Sequence, residues 1–151
     1  MQNHDIHVLN GLIGSTVDSA DDYAEAASEA QSRRFAGIFR ERASERRQIA
    51  AQLQRQVRML GGESPDGGTT LAAAHRALVR LRHNLAHGTD KDVIDTVERG
   101  ESYLKSKFEH ALEDNGITPE TQAVIGMAYG SVKSGCEQMR NFKYAMEPAP
   151  R

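Results

Sequence analysis

The chain has 151 residues, 19 Lys and Arg against 21 Asp and Glu, and a formal net charge of −2. That is about one domain, long enough to bury roughly 70% of the unfolded chain's surface in a single core. The lone cysteine, Cys136, excludes an internal disulfide, and neither a membrane-spanning apolar run nor a secretion signal is legible in MQNHDIHVLNGLIGS, so a cytoplasmic protein without membrane contact is expected.

The first helix is predicted over residues 5–30, where Ile6, Leu9, Ile13, Val17, Ala20, Ala24 and Ala27 recur at steps of three and four. A second follows over 32–60, with Ser32 as N-cap, Phe35, Phe39, Ala43, Ala50, Leu53 and Val57 on one face, and Gly61-Gly62 as its stop. The stretch GGESPDGGT is a loop by composition. A shorter amphipathic helix is expected over 70–87; at 1.5 Å per residue it spans about 27 Å, enough to carry the chain back along a bundle. Thr89 with Asp90 and Asp92 opens a further long helix to about residue 114, closed by Asn115-Gly116. Thr118-Pro119-Glu120 starts the last, which carries Ile125, Ala128, Val132, Cys136, Met139 and Phe142. Residues 148–151 are expected to fray, leaving one bundle over 1–147.

Four long helices with a short crossover between the second and third imply an all-α bundle in which the second and third long helices run parallel, the ferritin-like connectivity; an up-down bundle of five helices is the alternative. Glycines inside the helices each cost about 1 kcal/mol against alanine. Close helix approach is the expected compensation, with Gly126 and Gly130 sharing one face of the last helix.

Charge is segregated along the chain. Residues 1–31 hold Asp5, Asp18, Asp21, Asp22, Glu25 and Glu29 without a Lys or Arg, whereas the second helix holds Arg33, Arg34, Arg40, Arg42, Arg46, Arg47, Arg55 and Arg58 against Glu41 and Glu45. A hairpin with complementary flanks is the plain reading. A basic surface for a polyanion is the sharper one, but the acidic neighbour would cancel much of its field and aromatic residues that could stack on bases do not interleave with the arginines, so nucleic acid is not expected as a partner.

Two acids interrupt apolar stripes. The run Ile94, Val97, Glu101, Leu104, Phe108 points the Glu101 carboxylate toward neighbouring helices, and Glu45 with Arg46 falls on or beside the buried face near Ile38, Phe39, Ile49 and Leu53. A buried charge needs a partner, which is an arginine (Arg46, Arg42 or Arg99) or a metal ion. A di-metal carboxylate bundle requires a Glu on each of two helices and Glu-x-x-His on each of the other two. Here Gln48 stands three residues after Glu45, and the last helix offers Glu137-x-x-Arg140, so both histidines are missing. Tyr23 reads as a core-edge aromatic whose hydroxyl finds a carboxylate, Cys136 as a small buried hydrophobe, and His75, His83 and His87 as surface residues.

Leu9-Asn10-x-Leu12-Ile13 with Asp18 and Tyr23, Phe39-Arg40-Glu41 with Glu45-Arg46, Leu60-Gly61-Gly62 and Glu98-Arg99-Gly100-Glu101 together resemble ferritin-like proteins. The closer resemblance, over about residues 5–145, is to a bacterial family of small stand-alone four-helix-bundle proteins of unknown function related to rubrerythrin. It implies a fold but no established reaction, hence no catalytic residues, and it places Cys136 near where relatives carry histidine. The expectation is a non-enzymatic bundle acting by self-association or by binding a protein partner, without cofactor, its Glu101, Glu45, Arg46, Asp18 and Tyr23 forming a buried polar network. The alternative is a carboxylate-based metal-binding protein, a di-iron-like oxidase or metal store, holding iron or another divalent ion on Glu45, Glu101 and an acid of the first helix such as Asp18, Asp21 or Glu25.

Overall fold

The computed structural model describes residues 2–64 and 89–147; the crossover helix expected over 70–87, its three histidines and the tail from 148 lie outside them. The described residues form four helices, α1 (Gln2–Glu29), α2 (Arg33–Met59), α3 (Asp90–Leu112) and α4 (Pro119–Met146). Their starts are set by local chemistry. Extended Ser32, Thr89 and Thr118 accept the amides of Phe35 (3.4 Å), Asp92 (3.2 Å) and Thr121 (3.4 Å), each occupying a donor that lacks an intrahelical acceptor. Helix α2 ends where Gly61 takes φ +82°, with its amide on the Arg58 carbonyl and that of Gly62 on Val57, a Schellman closure that a residue with a Cβ would strain.

End-to-end contacts fix the directions. At one end of the bundle His4 meets Asp114 (2.7 Å), Asp5 meets Thr118, and Asn10 donates to the Glu63 carbonyl (3.3 Å), which gathers the start of α1, the exit of α2, the end of α3 and the start of α4. At the other end the Asp90 carboxylate accepts the amides of Gln31 (2.7 Å) and Ser32 (3.1 Å) and ties the short α1–α2 turn to the start of α3. Helices α2 and α3 therefore run in the same direction, and the end of α2 and the start of α3 lie at opposite ends of the bundle. Helix α1 packs on α2 and α3, and α4 on the same two, so packed neighbours are antiparallel and the parallel pairs lie on the diagonals.

The core is divided. Leu9, Ile13, Leu53, Phe108, Ile125 and Val132 belong to a larger apolar cluster toward the Asp5 end, and Tyr23, Phe39, Val97, Ile94 and Met139 to a smaller one toward the Asp90 end. Ser19, Arg46, Glu101 and Gly135, one from each helix, lie between the two in sequence on their respective elements.

Candidate functional site

That intervening layer is built around one ion pair. Arg46 is 0% exposed and Glu101 2%. The pair spans the α2–α3 diagonal as a fork: Arg46 Nη1 donates to Glu101 Oε1, and Nη2 donates to Oε2 at 2.7 Å. Ser19 completes it, accepting from Arg46 Nη1 at 2.9 Å and donating to Glu101 Oε1 at 3.4 Å. Both carboxylate oxygens are thus taken by one planar guanidinium, the bidentate geometry at which arginine excels. Burial works against the arginine's charge, but the hydrogen bonds and charge of Glu101 outweigh it and raise its pKa above the ordinary value.

Tyr23 closes the layer from α1. Its ring centroid lies 5.4 Å from the Arg46 guanidinium carbon, and its buried hydroxyl has no hydrogen bond of good geometry among the described residues. Burial and then the neighbouring Glu101 carboxylate push the phenol well above its ordinary value, with Arg46 opposing, so it stays protonated. Gly135 makes room for the pair. A Cβ on that residue would stand 2.3 Å from Arg46 Nη2 and 2.6 Å from Glu101 Oε2, so the last helix approaches the fork at a position that lacks a side chain. Gly126 and Gly130 do not have this role: a Cβ on Gly126 would meet only Leu112 at 4.0 Å, and one on Gly130 nothing within 4 Å.

Glu45 departs from expectation. Its side chain is 36% exposed and turns to Arg42, one turn back, whose Nη1 donates to both of its oxygens at 3.0 and 3.2 Å. Arg46 Nε lies 3.8 Å from Glu45 Oε1, so the two acids meet different edges of one guanidinium. The cause is angular: consecutive residues are about 100° apart around a helix, so when Arg46 points to the axis Glu45 falls on the flank. As a setting for a metal the centre does not fit, because a cation at Glu101 would have to displace Arg46 from both oxygens. Glu98, a turn earlier on the inner side of α3, accepts from Ser102 (3.0 Å) and faces Lys143 at 3.6 Å. Buried Cys136 has Ser102 Oγ at 3.9 Å.

A cavity of about 370 Å³ opens between α1 and α3, walled by Asp18, Asp22, Tyr23, Glu25, Arg99 and Glu101 among others. Asp18 thus lies beside the central layer, half-buried on the cavity wall, and Asp18, Asp22 and Glu29 each have an interaction partner. Glu25 is pushed up to about 7 by burial and by the charge of Glu29. Among the described residues no group of three His, Cys, Asp or Glu side chains is placed to hold a metal ion.

A second polar cluster has no forerunner in the sequence reading. Asp5, 0% exposed, accepts from the Thr118 amide (3.1 and 3.3 Å), the Thr118 hydroxyl (2.6 Å) and the Thr121 hydroxyl (2.8 Å). It caps the start of α4 from another helix, where the helix dipole favours an anion. Burial alone would raise its pKa, but these hydrogen bonds and the neighbouring His4 bring it below the ordinary value. The available signal was the spacing Asp5, Leu9, Leu12, Thr16, which places the acid on the buried stripe of α1.

The match to known sequences falls on these same elements. Residues 4–114 match the family model described as a domain of unknown function, DUF2383. The chain belongs to that family. The matched region contains Ser19, Tyr23, Arg46 and Glu101, so the fork lies within the DUF2383 domain, while Gly135 on α4 lies outside the matched stretch. No curated protein matches the chain. No helix of the described residues is long and apolar enough to cross a membrane.

Proposed function

We propose that the protein is a non-enzymatic, ferritin-like bundle that acts through its surface, by self-association or by binding a partner, with an arginine–carboxylate layer where a metal-dependent relative would hold its ions. The observation that carries this reading is the fork: the carboxylate most deeply placed in the centre has both oxygens engaged by a guanidinium, and Tyr23 beside it is held protonated. The parallel course of α2 and α3 supports the ferritin-like assignment. With the interior committed to structure, contact falls to the outside, where the large apolar side chains Met59, Tyr103, Met127 and Tyr144 are exposed. Met127, on the outer side of α4, is the most exposed of the four, and its surroundings are the face proposed for self-association.

Sedimentation velocity over a concentration series, on protein purified without chelator or metal-affinity tag, tests the reading together with elemental analysis of the same sample. A concentration-dependent dimer that Met127→Lys weakens, in protein without stoichiometric metal, is the expected result. Iron, manganese or zinc at one or two equivalents, lost in Glu101→Gln, would overturn it in favour of a metal-binding function. A monomer at every concentration would remove the self-association branch.

A further inference from the structure

We propose that the outward face of α2 is a binding ridge for the phosphate backbone of duplex nucleic acid. Arg33, Arg40, Arg47, Arg55 and Arg58 are all exposed, and none has an ion pair or side-chain hydrogen bond among the described residues. At 100° per residue they fall within a sector about 80° wide, opposite the face that buries Phe39, Arg46 and Leu53. Gly37, Ser44 and Ala51 alternate with them in the same sector, so nothing bulky holds a partner away from the guanidinium groups. From Arg33 to Arg58 the row extends about 37 Å at the helical rise, close to one turn of duplex DNA at about 34 Å.

The structure removes one objection that the linear sequence raises. Asp18, Asp22, Glu25 and Glu29 line the cleft between α1 and α3, on the side of α1 turned to α3 rather than to α2. Of the acids outside that cleft, Asp21 on α1 is half-buried with an interaction partner, and Glu41 on α2 stands exposed at the flank of the ridge. The second objection, that no exposed aromatic side chain interleaves with the arginines, selects among nucleic acids: base stacking on a single strand needs such rings, whereas duplex phosphates need only cationic donors. Adsorption to a lipid surface would want an apolar helix face free to insert, and the apolar face of α2 is inside the bundle. A carboxylate-bearing protein would need acids in one matching row, while a duplex presents a negative charge every 1.7 Å or so of its axis. The inference takes from the preceding reading only that the bundle acts by binding, and its failure would leave the role of the central fork untouched.

The test is fluorescence anisotropy of the full chain with a labelled duplex of about thirty base pairs, between about 50 and 200 mM salt. Engagement of four or five phosphates predicts that the logarithm of affinity falls with the logarithm of salt at a slope of about −4. The triple variant Arg40→Glu, Arg47→Glu, Arg55→Glu should lose roughly tenfold or more in affinity at the lower salt with an unchanged melting temperature, and the corresponding triple Lys variant should retain most of it. A flat titration, an unaltered triple Glu variant, equal binding of the single strand, or preference for anionic vesicles or polyglutamate over the duplex would each overturn the proposal.

Discussion

Replacing Arg46 by methionine tests whether the central fork holds the bundle together. The guanidinium is 0% exposed, and its removal leaves the Glu101 carboxylate, 2% exposed, with Ser19 as its one remaining hydrogen-bond donor among the described residues. Breaking a buried pair from one side costs about 3–5 kcal/mol, because the surviving charge is uncompensated. Against a typical total stability of about 5–15 kcal/mol this is a large fraction, and for a domain of this size it lowers the melting temperature by roughly 6–20 °C. The companion is the double variant Arg46→Met, Glu101→Leu, which replaces the whole pair with apolar groups. It should recover most or all of the loss, since exchanging a buried pair for packed hydrophobes is often neutral or stabilising by about 1–4 kcal/mol. Urea unfolding followed by far-ultraviolet circular dichroism gives both numbers from the midpoint and slope. A loss under about 1 kcal/mol for Arg46→Met, or a double variant no better than the single, would refute the claim that the pair sits uncompensated once broken.

Gly135→Ala should destabilise by about 1–3 kcal/mol, because the new Cβ would stand 2.3 Å from Arg46 Nη2, while Gly130→Ala, with nothing within 4 Å, should stabilise by about 1 kcal/mol through helix propensity alone; opposite signs in paired urea titrations are the readout. Asp5→Ala strips a buried acceptor from three donors at the start of α4 and should cost about 2–3 kcal/mol near neutral pH. Since the folded-state pKa of Asp5 is lowered, its contribution is complete above the unfolded value and fades as pH falls below about 4, so the gap between Asp5→Ala and the parent should shrink there in thermal melts. Glu25 has the opposite sign. With its pKa raised to about 7 in the folded chain, stability falls as pH climbs from the ordinary carboxylate range to that value, so Glu25→Gln should melt higher than the parent at pH above about 8, with the difference vanishing below about 4.

The helix limits were legible because the chemistry that sets them is local. Ser32, Thr89 and Thr118 are caps whose acceptors lie three residues from the amides they satisfy, and Gly61 closes α2 within its own last turn. Glu101 was placed inward correctly because steps of three and four carry an apolar stripe straight through it. For Glu45, placed on or beside the buried face, the periodicity left open which of the two it is, and Arg42 within reach on its own helix holds it on the flank. Close helix approach, the compensation expected for every glycine inside a helix, holds at Gly135 and not at Gly126 or Gly130.

The order of apolar and polar residues by itself determined an all-α bundle, the caps and stops of its helices, and the presence of an acid where a hydrophobic side chain was due. Three-dimensional packing decided which arginine meets that acid, that a glycine on a fourth helix must leave space for them, and that Asp5 caps a helix more than a hundred residues away. Helix formation and amphipathic stripes depend on neighbours within a turn or two and are written into periodicity. The pairing of Arg46 with Glu101 depends on four helices converging at one level, and no spacing along a single helix encodes that distance.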